Sequence, residues 1–259
     1  MRAAYITELG PAEAIRVGDL PVPVAGPTDV LVRVEVVVVN PVDILVRSGA
    51  YRTPTPFPFV VGRDLVGTVA ELGPGAVGFA VGDRVWCNSL GHGGRQGSFA
   101  EYAVVPVERL YHLPAAADPV AAVALFHPGA TAYLALFRRG ELRPTQTVYV
   151  GGAAGNVGTA MTALASTGGA RVLAGARAED GEWCRAAGAD EVVDYRDPDL
   201  RGRLAALAPA GIDLYVDTSG HLDLPAAIDL LAEGGRVVLM AGGGQRLTLP
   251  AGPLDMLRP

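Results

Sequence analysis

Lysine is absent from this 259-residue chain: all 21 basic residues are arginine. No side-chain amine is available for Schiff-base or pyridoxal chemistry, and a phosphate held by side-chain charge must meet Arg or His. Cysteine is nearly as scarce. Cys87 and Cys184 stand far apart without a C-x-x-C pattern, which argues against a disulfide framework and excludes a structural zinc site built from several cysteines. The N-terminus, Met1 to Ile6, lacks the apolar h-region of a signal peptide. No apolar run reaches the roughly 18 residues needed to span a bilayer. Positive charge is in deficit, with a formal net charge of -6, so there is no basic face for nucleic acid. The expectation is a cytoplasmic protein of enzyme size, with no nucleic-acid partner and no membrane partner.

Gly (34) and Pro (20) are scattered through the sequence, so they punctuate turns and do not make low-complexity tracts. Val30 to Val36 nearly alternates, with Arg33 and Glu35 on one face of a strand. Val66 to Leu72 reads as a second strand closed by Gly73-Pro74-Gly75, and Gly82-Asp83-Arg84-Val85-Trp86 opens a third. Short strands separated by turn signals predict a small barrel-like β domain. After Pro114 the rhythm changes. Pro119 to Phe126 and Thr131 to Arg138 read as two helices broken at His127-Pro128-Gly129. From Thr147 onward strands and helices alternate: Val148–Val150, Asn156–Thr167, Arg171–Ala174, Asp180–Ala187, Glu191–Val193, Leu200–Leu207, Ile212–Val216, Leu224–Ala232 and Arg236–Met240. Five strands with helical crossovers predict an α/β, doubly wound parallel sheet. The boundary is expected between residues 115 and 120, giving domains 1–117 and 118–259.

The sharpest site signal is Val148-Tyr149-Val150-Gly151-Gly152-Ala153-Ala154-Gly155-Asn156-Val157-Gly158. A buried strand runs into a glycine turn and then a helix, so backbone N–H groups at the helix N-terminus can approach a pyrophosphate. Gly158 lets that helix pack close to the sheet. The strand before, the helix after and a further strand at Arg171 make this stronger than a lone glycine triplet. About 20 residues on, a NAD site carries Asp or Glu on the ribose 2′-hydroxyl. Here the second strand ends Leu173-Ala174-Gly175-Ala176-Arg177. Arg177 offers a planar cationic fork suited to a 2′-phosphate, although Glu179 and Asp180 follow closely. The expected cofactor is NADP(H).

Taken in order, Val39-Asn40-Pro41-Val42-Asp43, Arg47-Ser48-Gly49-Ala50-Tyr51, Gly62-Arg63-Asp64-Leu65-Val66-Gly67, Gly82-Asp83-Arg84-Val85, Gly97 to Tyr102, Ala153 to Gly158 and Gly188 to Tyr195 form one series. Through these motifs the chain resembles the zinc-free quinone oxidoreductase branch, the zeta-crystallin relatives, of the medium-chain dehydrogenase/reductase superfamily. The resemblance implies a GroES-like β-rich substrate and catalytic domain beside a Rossmann domain, with the nicotinamide in the cleft between them. It implies that Asn40 and Thr131 lie near the nicotinamide and that Ala154, Gly155, Asn156, Val157 and Gly158 receive the pyrophosphate. Arg177 and Tyr195 would flank the 2′-phosphate. The segments holding Thr218 and Ser219, and Ala241 and Gly242, would close over the cofactor. The family's Rossmann sheet continues past the fifth strand, so the domain reads as C-terminally incomplete, and a homodimer is open because the usual pairing strand is absent.

Zinc divides the superfamily. The zinc-dependent branch has a Cys near Pro41-Val42-Asp43 and a His-Glu pair at Arg63-Asp64; both are missing here, as is the four-cysteine lobe. His92, His112, His127 and His221 are scattered, and each reads as a surface or capping histidine, so no metal is expected. A small electrophilic substrate, a quinone or an α,β-unsaturated carbonyl, would then be polarised by hydrogen bonds. Leu45 stands where bacterial quinone reductases of this type commonly carry a tyrosine. Tyr51 resembles the tyrosine of the related enoyl-thioester reductases and would serve as proton donor. A non-catalytic NADPH-binding or structural protein is the reading from another class. Arg177→Ala is expected to erode the preference for NADPH over NADH in a binding titration, and unchanged discrimination would sink the 2′-phosphate assignment.

Overall fold

A computed structural model describes residues 1–220 and 223–240. The chain divides into two units, Met1–His127 and Pro128–Pro259. The division falls inside a helix, beyond the 117/118 position at which composition changes.

In the first unit, alternation has become antiparallel sheet. Its elements are β1 (Arg2–Ile6), β2 (Arg16–Asp19), β3 (Asp29–Val38), α1 (Pro41–Ser48), β4 (Phe59–Val60), β5 (Asp64–Leu72), β6 (Arg84–Cys87), β7 (Tyr102–Pro106) and β8 (Tyr111–His112). They form sheets of order β2-β1-β4 and β7-β3-β5-β6-β8. Val30, Val32, Leu65, Val69, Val85 and Val105 make the core under the larger sheet, while Arg33 and Glu35 face outward as their spacing requires. Helix α1 starts at Asn40, with Pro41 in its first turn, and stops at Gly49, whose φ of 79° suits a residue without a Cβ.

The predicted break at His127-Pro128-Gly129 does not form. Helix α2 (Pro119–Tyr133) passes through Pro128 and continues as a wider π turn over Leu134–Arg139. Proline removes one backbone donor, and tertiary packing outweighs that loss. Val123 packs with Val66 and Leu113, and Ala132, Ala135 and Leu136 join the core of the second unit. Joined in this way, Pro119–Arg139 is long and apolar enough to cross a membrane by length and composition alone. The core helix of a soluble protein has the same property.

The second unit continues with β9 (Thr147–Gly151), α3 (Asn156–Thr167), β10 (Arg171–Ala176), α4 (Gly181–Ala186), β11 (Glu191–Asp194), α5 (Leu200–Leu207), β12 (Ile212–Asp217), α6 (Leu224–Asp229) and β13 (Leu231–Leu239). The five strands among its described residues are parallel, in the order β11-β10-β9-β12-β13. Successive strand residues serve opposite faces. Val148, Val150, Val172 and Ala174 pack with Ala160, Met161 and Ala165 of α3 and Cys184 of α4. Tyr149, Leu173 and Tyr215 pack with Leu204 of α5 and Ala227 of α6. Both faces are therefore covered, which is why these strands read as continuous apolar runs. Both cysteines are free and buried. The helix predicted over Leu224–Ala232 ends early, because Leu231 already pairs with Ile212. The ladder then shifts register before Leu214 meets Arg236, and Gly234 lies in that shift at a φ of 73°.

The tightest approach in this unit lies where α3 meets the strand it follows. A Cβ on Gly158 would press on the Gly152 carbonyl oxygen and stand 2.7 Å from the Ala153 Cα, both of them backbone atoms that cannot swing aside. Gly158→Ala is accordingly expected to destabilise the protein by about 1–3 kcal/mol. Urea unfolding checks this as a lowered midpoint with an unchanged slope.

Candidate functional site

The glycine segment takes the shape its sequence requires. Gly152 has a φ of 73°, and the N–H groups of Gly152 and Ala153 both donate to the Gly175 carbonyl at 3.0 Å, tying the loop to β10. Gly155 stands at the N-cap of α3 with no side-chain cap, and no acidic residue sits in the first turn. The first-turn N–H groups of a helix have no intrahelical acceptor. At Asn156, Val157 and Gly158 they are left for an external anion, with the positive end of the helix dipole behind them.

Around this turn lies a cavity of about 910 Å³, wholly within the second unit. Its walls come from the carboxyl ends of four strands: Gly151 and Gly152 at the end of β9, Ala176 and Arg177 at the end of β10, Tyr195 just past β11, and Asp217, Thr218 and Ser219 at the end of β12. Strand order reverses direction between β9 and β12, and the crevice at such a point is where open α/β sheets take their ligands. Thr218 locks the two strand ends together: its Oγ1 donates to the Gly151 carbonyl at 2.9 Å, and its N–H to the same oxygen at 3.0 Å. Buried Asp217 accepts from Ser219 Oγ at 2.8 Å and from the Gly220 N–H at 3.1 Å. Tyr149 and Tyr215 floor the cavity, and burial raises both phenol pKa values, Tyr215 to about 12. The backbone cradle and the free helix terminus fit a dinucleotide pyrophosphate.

Of the cofactor residues expected from sequence, Ala154, Gly155, Arg177, Tyr195, Thr218 and Ser219 line this one cavity. Asn156, Val157 and Gly158 form the helix turn beside it. Ala241 and Gly242 lie outside the described residues. Arg177 is engaged: its Nε donates to Asp180 Oδ2 at 3.0 Å, and its NH1 lies 3.4 Å from Glu179 Oε1. A second guanidinium, missed in the sequence, stands close by. Arg196 NH2 contacts Glu179 at 3.1 Å and Asp194 at 3.0 Å. That pairing holds the Asp194 carboxyl down at about 2. The only sequence signal for Arg196 was its place directly after Tyr195.

In the first unit a buried polar node surrounds Asn40, which is 2% exposed. Its N–H donates to Asp43 Oδ2 at 2.7 Å, closing the first turn of α1, and its Nδ2 donates to Asp64 Oδ2 at 3.0 Å. Asp64 is fully buried, and His127 Nδ1 lies 3.5 Å from its Oδ1. His127 is thus corrected from a surface or capping residue to a partly buried neighbour of a carboxylate. Asp43 Oδ1 has no hydrogen-bond partner among the described residues. At the far end of α1, Tyr51 is half exposed, and its hydroxyl lies 3.4 Å from His92 Nε2. Burial first, then Arg63 and Arg95, push the His92 pKa down. That shift favours the neutral form of the ring beside the phenol. His112 Nε2 meets the Gly78 carbonyl at 3.0 Å, and His221 lies outside the described residues. Thr131 lies half-buried in α2. Among the described residues, no three His, Cys, Asp or Glu side chains gather as metal ligands.

Residues 26–115 match the alcohol dehydrogenase GroES-like domain family, and residues 156–258 match the zinc-binding dehydrogenase family. The human quinone oxidoreductase is 32% identical over 99% of this chain and 77% of its own length. A solved NAD-dependent alcohol dehydrogenase superimposes with a TM-score of 0.90 at 34% identity, over 99% of this chain and 82% of that one. A mycobacterial protein solved in complex with NADPH gives 0.84 at 30% identity, over 99% and 78%.

Burial raises the Asp43 carboxyl from 3.8 to about 6; the Asn40 N–H opposes this, Asp64 adds to it, and Arg63 and His127 oppose it. A folded-state pKa above the unfolded one means that the stability tied to the bound proton is complete below about pH 3.8 and is lost as pH rises through about 6. Asn at this position keeps an acceptor for the Asn40 N–H and carries no charge. The stability of wild type relative to Asp43→Asn should therefore fall by about 2 kcal/mol between pH 4 and pH 7 in urea titrations. A difference that stays flat across that window would overturn the assignment.

Proposed function

This chain belongs to the quinone oxidoreductase, zeta-crystallin-like branch of the medium-chain dehydrogenase/reductase superfamily, and we propose that it is an NADPH-dependent, metal-independent reductase of a quinone or an α,β-unsaturated carbonyl. The observation that carries this reading is the uncapped N-terminus of α3, which opens through a glycine cradle onto the cavity that Arg177 walls. When bound, the nicotinamide dinucleotide supplies hydride. The first-turn N–H groups of α3 hold the pyrophosphate, Thr218 keeps the ends of β9 and β12 in register, and Arg177 and Tyr195 take the 2′-phosphate side. Without a metal, hydrogen bonds and placement polarise the acceptor. Asn40 and Thr131, which the family resemblance puts near the nicotinamide, are the side chains for that task. Asp64 fixes the orientation of the Asn40 amide through the 3.0 Å bond from Nδ2.

A second reading, reduction of an enoyl thioester, is favoured by the contact between Tyr51 and His92. In this reading the phenol hands its proton to the carbon next to the thioester carbonyl, and a solvent proton returns to the phenolate through the His92 ring beside it.

Titration with NADPH and NADH, followed by nicotinamide fluorescence, tests the cofactor. Steady-state turnover on a simple quinone and on a short enoyl thioester then tests the acceptor. The reductase reading expects NADPH binding and turnover on one of the two. Tyr51→Phe is expected to lower thioester turnover by about 10²–10⁴-fold while leaving NADPH affinity unchanged. Tight NADPH binding without turnover on any acceptor would replace an enzyme with a dinucleotide-binding protein.

A further inference from the structure

We propose that Asp180 sets the cofactor preference of this chain by competing with the cofactor's 2′-phosphate for Arg177. The inference rests on reading the second unit's cavity as the dinucleotide site. Arg177 and Asp180 both line that cavity, together with Tyr195. Asp180 occupies the N-cap position of α4, where an aspartate ordinarily accepts a hydrogen bond from the first turn, yet its side chain makes no cap bond. It is turned instead onto Arg177, Nε to Oδ2 at 3.0 Å. Glu179 stands 3.4 Å from the other arm of the same guanidinium and is itself shared with Arg196, which Asp194 grips through two bonds of 3.0 and 3.1 Å. Two guanidinium groups, Arg177 and Arg196, thus face three carboxylates, Glu179, Asp180 and Asp194, which leaves the cluster one negative charge in excess.

That balance decides what a 2′-phosphate meets. To hold it through the Nε edge of its fork, Arg177 must release Asp180, as it must release Glu179 to use NH1, and a carboxylate then stands close to a dianion. A cofactor with a 2′-hydroxyl asks for no such exchange, and a carboxylate at this wall can accept its hydrogen bond, as an acidic residue does in NAD sites. The pair is exposed, 49% at Arg177 and 28% at Asp180, so solvent screens it and the exchange is easy. Arg177 therefore confers affinity for NADPH, and Asp180 limits the margin over NADH.

The test is a binding titration of the full chain with NADPH and NADH, for wild type, Asp180→Asn, Arg177→Ala and the double variant. Asparagine keeps the side-chain shape, and no cap bond is lost. Asp180→Asn should tighten NADPH binding about two- to fivefold, the range of one exposed ion pair, without tightening NADH. The gain should shrink at high salt and vanish when Arg177 is already alanine. If Arg177→Ala weakens NADPH while Asp180→Asn leaves it unchanged or weaker, the competition is refuted and the 2′-phosphate site stands. If Arg177→Ala does not weaken NADPH at all, the 2′-phosphate reading falls, and the competition falls with it.

Discussion

The close approach of two backbones at Gly152 and Gly158 governs the second unit. With no Cβ at position 158, the first turn of α3 rests directly on the carbonyl of Gly152. This contact sets the helix end at the carboxyl edge of β9 and aims its free N–H groups along the crevice. Everything else at that edge is organised around it. The loop amides are spent on Gly175, Thr218 is spent on Gly151, and the neighbouring strand ends supply the walls. A larger residue at position 158 would push the helix away from the sheet, and the donors would lose their common direction.

The first unit is arranged around a different constraint, the burial of charge. Asp64 is fully buried and Asp43 nearly so, and both are tied to Asn40. Burying carboxylates is unfavourable unless they are bonded or protonated. The rise in the Asp43 pKa is the visible consequence. The gain is orientation: the Asn40 amide is held by its own helix and by β5, so its position is fixed before any ligand arrives. Tyr51, just beyond the other end of α1, is half exposed and beside the His92 imidazole. One short helix therefore carries a rigid polar group at its start and an accessible phenol after its end.

At the wall of the cavity, charge is held in exposed pairs. Such pairs contribute little to stability and are readily exchanged, which suits a surface that must rearrange when a ligand of different charge arrives. The contrast with the Asn40 node follows from solvent: the same carboxylate chemistry is rigid where water is excluded and labile where water is present.

The sequence by itself determined much of this architecture. Helices α3 and α5 begin and end where the apolar period and the flanking glycine and aspartate signals put them. The strand–glycine–helix segment could be placed because backbone approach demands small residues whatever surrounds them. Strands β10 and β12 were read short, since continuous apolar runs carry no mark of where pairing stops. Local patterns failed where packing outweighed propensity. Pro128 does not break α2, because apolar neighbours on both sides hold the helix. Leu231 leaves its predicted helix, because Ile212 offers it a ladder partner. Only the tertiary structure could bring Asp64 to Asn40 and His92 to Tyr51, from 24 and 41 positions away, or His127 to Asp64. No spacing rule reaches that far, because such contacts are set by how sheets and loops close in space. The same holds for Arg177: its charge was evident in the sequence, but only the folded chain shows that Asp180 already holds it.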